Sequence, residues 1–197
     1  MQQVVIVGAG QAGAAAAAKL RALGYAGSIT LIGAEVAPPY QRPPLSKKYL
    51  AGELGLDRLQ LRQPGYFDEQ RVELRLGRRA TAIDRHAKQV QLVGGATLDY
   101  EHLIIATGSH PRRLKMPGAD LAGVHYLRSL SDADHLRTEV HVGQRAVIIG
   151  GGYIGLEVAA TLRQLGMEVT VLEMADRVMN RVVAEPVSRY YEREHAS

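Results

Sequence analysis

Two glycine-rich turns with the same spacing constrain this chain of 197 residues more than any other feature. A GxGxxG pattern occupies residues 8–13, and a second one occupies residues 150–155. Each pattern follows an apolar run rich in β-branched residues and precedes a stretch with helical character. A second apolar run then ends in an acid, which is Glu35 in the first unit and Glu173 in the second. The chain therefore repeats one strand, turn, helix, strand and acid arrangement.

This repeat predicts two dinucleotide-binding sites. From residue 13 to 35 is 22 residues and from 155 to 173 is 18, close to the ~20 of a Rossmann fingerprint. A diphosphate binds where free backbone N–H groups meet the positive end of a helix dipole, and a side chain would block that approach. The acid would accept hydrogen bonds from an adenosine ribose, and Glu173 would repel a 2′-phosphate. Glycine-rich turns without a ligand are the alternative, which two complete units disfavour.

The pattern predicts an α/β fold with two Rossmann-like units and a small antiparallel meander. We expect the first helix to end near Gly24 and the second, over about 153–165, to end at Gly166. The other expected elements are a proline-rich loop at 38–44, a short helix at 45–50, a strand at 72–76, the meander at 80–84, 89–93 and 97–100, a buried strand at 102–106, a linker at 111–118 and a helix from 185. A doubly wound domain needs further strands, so we expect the chain to be truncated at its C-terminus relative to a longer protein.

Composition and charge disfavour several function classes. The net charge of +4 arises from basic residues dispersed among acids, and with one Phe and no Trp a nucleic-acid partner is not expected. A moderately basic surface suits an acidic protein partner, although scattered solvated charge explains it equally well. No apolar run approaches ~20 residues, no signal-peptide pattern is visible and there is no Cys, so we expect no membrane partner and a cytoplasmic protein. The His residues form no ligand motif, so no metal site is expected.

Several motifs resemble those of the FAD-dependent ferredoxin reductases of oxygenase systems, within the wider pyridine nucleotide-disulfide oxidoreductases. The resemblance covers essentially the whole chain. Besides the first glycine turn, the motifs that carry it are Arg-Pro-Pro-Leu-Ser-Lys at 42–47, Ala-Thr-Gly at 106–108, Tyr-Leu-Arg at 126–128 and Gly-Gly-Gly-Tyr-Ile-Gly-Leu-Glu at 150–157. The segment at 42–47 is the narrowest of them and indicates this branch.

The resemblance implies an FAD-binding domain at 1–112 and an NAD-binding domain at 113–197, both incomplete. The residues implied for FAD are Gly8, Gly10, Ala12, Gly13, Glu35, Arg42, Lys47, Ala80, Thr107, Gly108 and Arg128. The residues implied for NAD are Gly152, Tyr153, Ile154, Gly155, Glu157 and Glu173. Many members of the family have an Asp before the first acid, where this chain has Ala34, so ribose recognition would depend on Glu35 or on a backbone group.

The resemblance also implies a reaction. Hydride passes from NADH to FAD, and single electrons then pass to a [2Fe–2S] ferredoxin that feeds an oxygenase such as a cytochrome P450. Relatives that reduce disulfides use a Cys pair beside the flavin, and this chain has no Cys. Lys47 would lie near the flavin and form an ion pair with Glu157 on the first turn of the second helix, and these two are the implied catalytic residues. An exposed helix lysine is the alternative for Lys47.

Other functions stay open at this point. One is a related flavoprotein with another acceptor, such as rubredoxin or monodehydroascorbate. Another is a non-catalytic protein that binds a partner, similar to apoptosis-inducing factor. Acceptor choice depends mostly on surface residues, so the motifs do not separate these alternatives.

Overall fold

The computed structural model describes residues 3–196, and its backbone forms two compact units. The first unit runs to Gln41 and continues over Leu56–His110, and the second consists of Arg42–Gly55 and the chain from Pro111 onward. The change of unit after residue 110 lies near the expected boundary at 112. The segment Arg42–Gly55, which we expected inside the first domain, groups with the second unit.

The first unit is built on a parallel sheet. Its elements are β1 (Gln3–Val7), α1 (Gln11–Ala22), β2 (Ser28–Ile32), α2 (Leu56–Leu59), α3 (Tyr66–Glu69), β3 (Val72–Arg75), β4 (Ala80–Asp84), β5 (Gln89–Leu92), β6 (Thr97–Asp99) and β7 (His102–Ile105). The parallel strands have the order β3-β2-β1-β7, and β4, β5 and β6 form the expected antiparallel meander. Nearly continuous apolar strands favour this arrangement because both faces of a parallel sheet are covered.

Alternate residues of β1 enter two different hydrophobic clusters, as the two-residue period of a strand requires. Val4 and Ile6 are in the cluster that contains α1 residues, and Val5 and Val7 are in the cluster that contains residues of the meander. The meander therefore covers one face of the sheet while α1 covers the other. This packing fixes the end of β1, where the first glycine turn begins.

The second unit contains a shorter version of the same arrangement. Its elements are a 3-10 helix (Pro43–Ser46), α4 (Leu130–Thr138), β8 (Arg145–Ile149), α5 (Tyr153–Gln164), β9 (Glu168–Leu172) and α6 (Glu185–Ala196). The strands β8 and β9 pair in parallel, with Ile149 opposite Leu172 at the end that leads into the glycine turn. Buried Leu50 packs with Val158 and Leu162 of α5, so the segment Arg42–Gly55 contributes to the core of this unit.

The structure confirms most expected elements and corrects three. The prediction of a helix at 45–50 is wrong, because a 3-10 helix begins earlier, at Pro43. Proline has no backbone N–H group, and the first residues of a helix need none for the hydrogen bonds within the helix. The strand expected to be buried at 102–106 lies at the edge of the sheet, and its Ile105 is 62% exposed. Glu157 is the fifth residue of α5 and therefore lies in its second turn, not its first.

Within residues 3–196, no helix combines the length and the apolar character that crossing a bilayer requires.

Candidate functional site

The first glycine turn is shaped by two close approaches inside the first unit. Gly8 has a φ of +116°, and a Cβ there would overlap the carbonyl oxygen of Ala106. A Cβ on Gly13 would overlap the carbonyl oxygen of Gly8. Both glycines are therefore required by the protein itself, because the helix and the neighbouring loop lie against the turn.

Gly10 has a different explanation, because a Cβ there would meet no atom within 4 Å. Gly10 is the N-cap of α1, it provides no side-chain cap, and the first turn of α1 contains no acid. The first N–H groups of a helix have no partner within the helix, so this end attracts an anion. A glycine that packing does not require leaves room for the close approach of a dinucleotide diphosphate. The turn fits that group.

The second turn repeats this geometry in the second unit. Gly150 has a φ of +111°, and a Cβ on Gly155 would overlap the Gly150 carbonyl oxygen. A Cβ on Gly152 would meet no atom within 4 Å, and Gly152 is the uncapped N-cap of α5. Tyr153 and Ile154, the first two residues of α5, are each about half exposed. The second turn fits a diphosphate for the same reason as the first.

The two acids that follow the second strands have different surroundings. Glu35 accepts a hydrogen bond of 2.6 Å from the hydroxyl of buried Tyr40. Glu173 accepts two backbone hydrogen bonds, from Ala175 N–H at 2.9 Å and from Gly151 N–H at 2.7 Å. These bonds lower the pKa of Glu173 below its ordinary value. A fixed negative charge therefore lies directly against the second glycine turn.

Two arginines follow β9, and one of them acts on the charge of Glu173. The guanidinium of Arg177 donates to the carbonyl oxygens of Val183 and Asn180 and to the hydroxyl of Ser188. Arg177 is thus engaged by the loop that follows β9 and by Ser188 of α6. Arg181 is close enough for its positive charge to contribute to the lowered pKa of Glu173.

The other residues expected at the FAD site are divided between the units. Arg42 and Arg128 lie together in the second unit, where Arg42 Nη1 donates to the Arg128 carbonyl oxygen at 2.7 Å. In the first unit, Ala80 begins β4, and Ala12 is the second residue of α1. Thr107 and Gly108 follow β7 there and continue from Ala106, which contacts the first glycine turn.

The ion pair expected between Lys47 and Glu157 is confirmed, with Lys47 Nζ 2.8 Å from Glu157 Oε2. Lys47 Nζ also donates to the Pro43 carbonyl oxygen at 3.2 Å. The hydroxyl of Ser46 donates to the same Glu157 oxygen at 2.6 Å. Thr161, one turn further along α5, donates to the Ser46 carbonyl oxygen at 2.9 Å. The sequence reasoning missed Ser46 and Thr161.

Comparison with known proteins identifies the family. The family model described as pyridine nucleotide-disulphide oxidoreductase matches residues 2–197. The chain belongs to this family. Rhodocoxin reductase from Rhodococcus erythropolis is 46% identical over 192 residues, which are 98% of this chain and 45% of that protein. This family membership confirms the resemblance inferred from the motifs.

Two solved structures are similar in fold as well as in sequence. The covalent putidaredoxin reductase–putidaredoxin complex matches with a TM-score of 0.92 and 46% identity, over 99% of this chain and 48% of the matched chain. A ferredoxin reductase from Rhodopseudomonas palustris matches with a TM-score of 0.95 and 43% identity, over 100% of this chain and 48% of that chain. The chain therefore spans about half the length of the relatives that it matches.

The different roles of the glycines lead to a first prediction, tested by alanine substitution in the second turn. Gly155→Ala should lower the free energy of unfolding by more than about 2 kcal/mol, because its Cβ overlaps a backbone carbonyl. Gly152→Ala should change it by less than about 1 kcal/mol, because the space is open and φ is −83°. Gly152→Ala should instead weaken NADH binding at least about tenfold. Urea unfolding and calorimetric titration measure both effects, and normal NADH binding by Gly152→Ala would contradict the assignment.

A second prediction concerns the pH dependence of stability. The pKa of Glu173 is lower in the folded chain than its ordinary value of 4.5, so its contribution is present above about pH 4.5 and is lost as the pH falls through the folded pKa. Glu173→Gln should therefore lower the free energy of unfolding at pH 7 and have a smaller effect at pH 3. Because the carboxylate is exposed, the difference should stay below about 1 kcal/mol. Glu168→Gln, at an exposed position of β9, is the control, and equal effects of Glu173→Gln at both pH values would refute the prediction.

Proposed function

We propose that the protein is an NADH-dependent flavoprotein that delivers single electrons to an acidic [2Fe–2S] ferredoxin, which feeds an oxygenase such as a cytochrome P450. The observation that carries the proposal is the pair of glycine turns, each with an open second glycine at an uncapped helix N-terminus. One chain with two such turns is suited to two dinucleotides. The names of the matched relatives support a ferredoxin reductase over other members of the family.

We assign FAD to the turn at 8–13 and NADH to the turn at 150–155. When bound, FAD supplies the chemistry that links a hydride donor to a one-electron acceptor. The chain supplies the binding groups. The open backbone at Gly10 and Gly152 would approach the diphosphates, and the N-termini of α1 and α5 would stabilise their negative charge.

Glu173 supports NADH over NADPH as the electron donor. Its carboxylate is held against the turn at 150–155 by two backbone N–H groups. A 2′-phosphate at the ribose would meet this fixed negative charge, whereas a 2′-hydroxyl could donate a hydrogen bond to it. Arg177, the cation four residues further on, is engaged by the loop after β9 and by Ser188 of α6.

Lys47 and Glu157 are the residues that we assign to the reacting end of the nicotinamide. Glu157 lies in the second turn of α5, so it is on the helix whose N-terminus would bind the NADH diphosphate. Both side chains are partly exposed, at 45% for Lys47 and 29% for Glu157, so they are accessible to a ligand. Their role would be to orient the carboxamide side of the ring and to place a positive charge near the electron acceptor.

The net charge of +4 suits an acidic ferredoxin, because opposite charges accelerate encounter between electron-transfer partners. We also propose a cytoplasmic location, where NADH and ferredoxins are available.

The proposal is tested by supplying the FAD-loaded protein with NADH or NADPH and a [2Fe–2S] ferredoxin. Ferredoxin should be reduced with NADH, and kcat/KM should be about 100-fold lower with NADPH because of the Glu173 charge. Lys47→Met should lower the NADH-dependent rate about tenfold, because it removes one partner of the ion pair. The matched control is Lys48→Met, at the neighbouring exposed lysine, which should keep the native rate.

Three outcomes would contradict the proposal in different ways. If neither nucleotide reduces the flavin, the assignment of the two turns is wrong. If NADH reduces the flavin but the ferredoxin stays oxidised while rubredoxin or monodehydroascorbate is reduced, the acceptor is wrong. If NADPH is as efficient as NADH, the role given to Glu173 is wrong.

A further inference from the structure

We propose that Ser46 and Thr161 are positioning residues, which hold the Glu157 carboxylate in the orientation that pairs with Lys47. The inference rests on the proposed function for its catalytic consequence, but its structural part concerns these four residues alone. All four lie in the second unit. Neither Ser46 nor Thr161 is part of a glycine turn or of the Lys47–Glu157 ion pair.

Two donors meet at one carboxylate oxygen of Glu157. Glu157 Oε2 accepts from Ser46 Oγ at 2.6 Å and is paired with Lys47 Nζ at 2.8 Å. An ion pair between exposed side chains is weak and mobile, because both ends are flexible and solvated. Ser46, in contrast, is only 4% exposed, and its side chain is short. The serine is therefore the rigid one of the two donors to Glu157.

Ser46 is itself held in place by a hydrogen bond from α5. Thr161 Oγ1 donates to the Ser46 carbonyl oxygen at 2.9 Å, and Thr161 is 7% exposed. Glu157 and Thr161 are four residues apart and lie on the same face of α5. One helix face thus binds Ser46 through both its side chain and its main chain. The residue that follows, Lys47, is placed by this double attachment.

The Ser46 hydroxyl does not act simply as a cap of the 3-10 helix. Ser46 Oγ is 3.4 Å from the Pro43 carbonyl oxygen, which is a longer contact than the 2.6 Å to Glu157. A hydroxyl has one proton to donate, and the shorter contact with a charged acceptor is the stronger one. The Ser46 proton is therefore directed to Glu157 and not to the local 3-10 turn.

The turn at 150–155 would then bind NADH, while Ser46 would act through Glu157 on the orientation of the reacting ring. Without the Ser46 hydroxyl, the Glu157 side chain can rotate away from Lys47 while the rest of the unit stays folded. NADH would still bind through the turn at 150–155, but its reacting ring would be oriented less well. The limiting rate of flavin reduction should fall, and the dissociation constant of NADH should change little.

The experiment compares Ser46→Ala and Thr161→Val with the hydroxyl-retaining Thr161→Ser, and uses Ser131→Ala on α4 as a control at an exposed serine. Stopped-flow reduction by NADH should give a limiting rate about tenfold lower for Ser46→Ala and about threefold lower for Thr161→Val, with the dissociation constant within about twofold of native. Thr161→Ser, which retains the hydroxyl, should keep the native rate. In the Glu157→Gln background, Ser46→Ala should add less than about twofold, because both act through one carboxylate.

A crystal structure of each variant provides a readout independent of activity. In Ser46→Ala the distance from Lys47 Nζ to Glu157 Oε2 should lengthen from 2.8 Å to beyond the ~4 Å of an ion pair. An unchanged distance, or an equal rate loss in the native and Glu157→Gln backgrounds, would overturn the inference. If the native protein shows no NADH-dependent flavin reduction, the proposed function fails, and the distance alone then decides whether Ser46 positions Glu157.

Discussion

Each glycine turn depends on one close approach, between the backbone of the third glycine and the carbonyl oxygen of the first. A side chain at Gly13 or Gly155 would overlap that oxygen, so only glycine allows the helix to begin so close to the strand end. This approach fixes the helix N-terminus over the turn and leaves the second glycine, Gly10 or Gly152, with open space. The same contact that packs the helix therefore also creates the anion-binding end.

In the second unit, the Glu157 carboxylate links that helix to the segment Arg42–Gly55. The segment is far away in sequence, yet its Leu50 packs against α5 and its Ser46 and Lys47 contact Glu157. Tyr49 adds a further attachment, because its hydroxyl donates to Asp134 of α4 at 2.6 Å, and burial together with this hydrogen bond raises the pKa of Tyr49. Apolar packing and directed hydrogen bonds thus hold the segment on two helices.

Local rules explain what could be predicted from the sequence. Strands, helices and turns at 8–13 and 150–155 follow from residue periodicity and glycine spacing. The pairing of Lys47 with Glu157 came from the resemblance of two motifs to those of a known family, and the two residues carry complementary charges. Ser46 and Thr161 were missed because they are uncharged and their hydrogen bond joins residues 115 positions apart. In addition, the prolines at 43 and 44 led to the prediction of a loop where a 3-10 helix begins. The exposure of Ile105 was missed because an apolar run does not distinguish an edge strand from a central one.

The central proposal is that the two glycine turns bind different dinucleotides through their open backbone amides. Amide NMR spectra recorded during separate titrations with FAD and NADH test this claim most directly. FAD should shift the amide resonances of Gly10 and Gln11, and NADH should shift those of Gly152 and Tyr153, because these groups lie where each diphosphate would bind. Shifts at the same turn with both ligands, or at neither turn, would contradict the account.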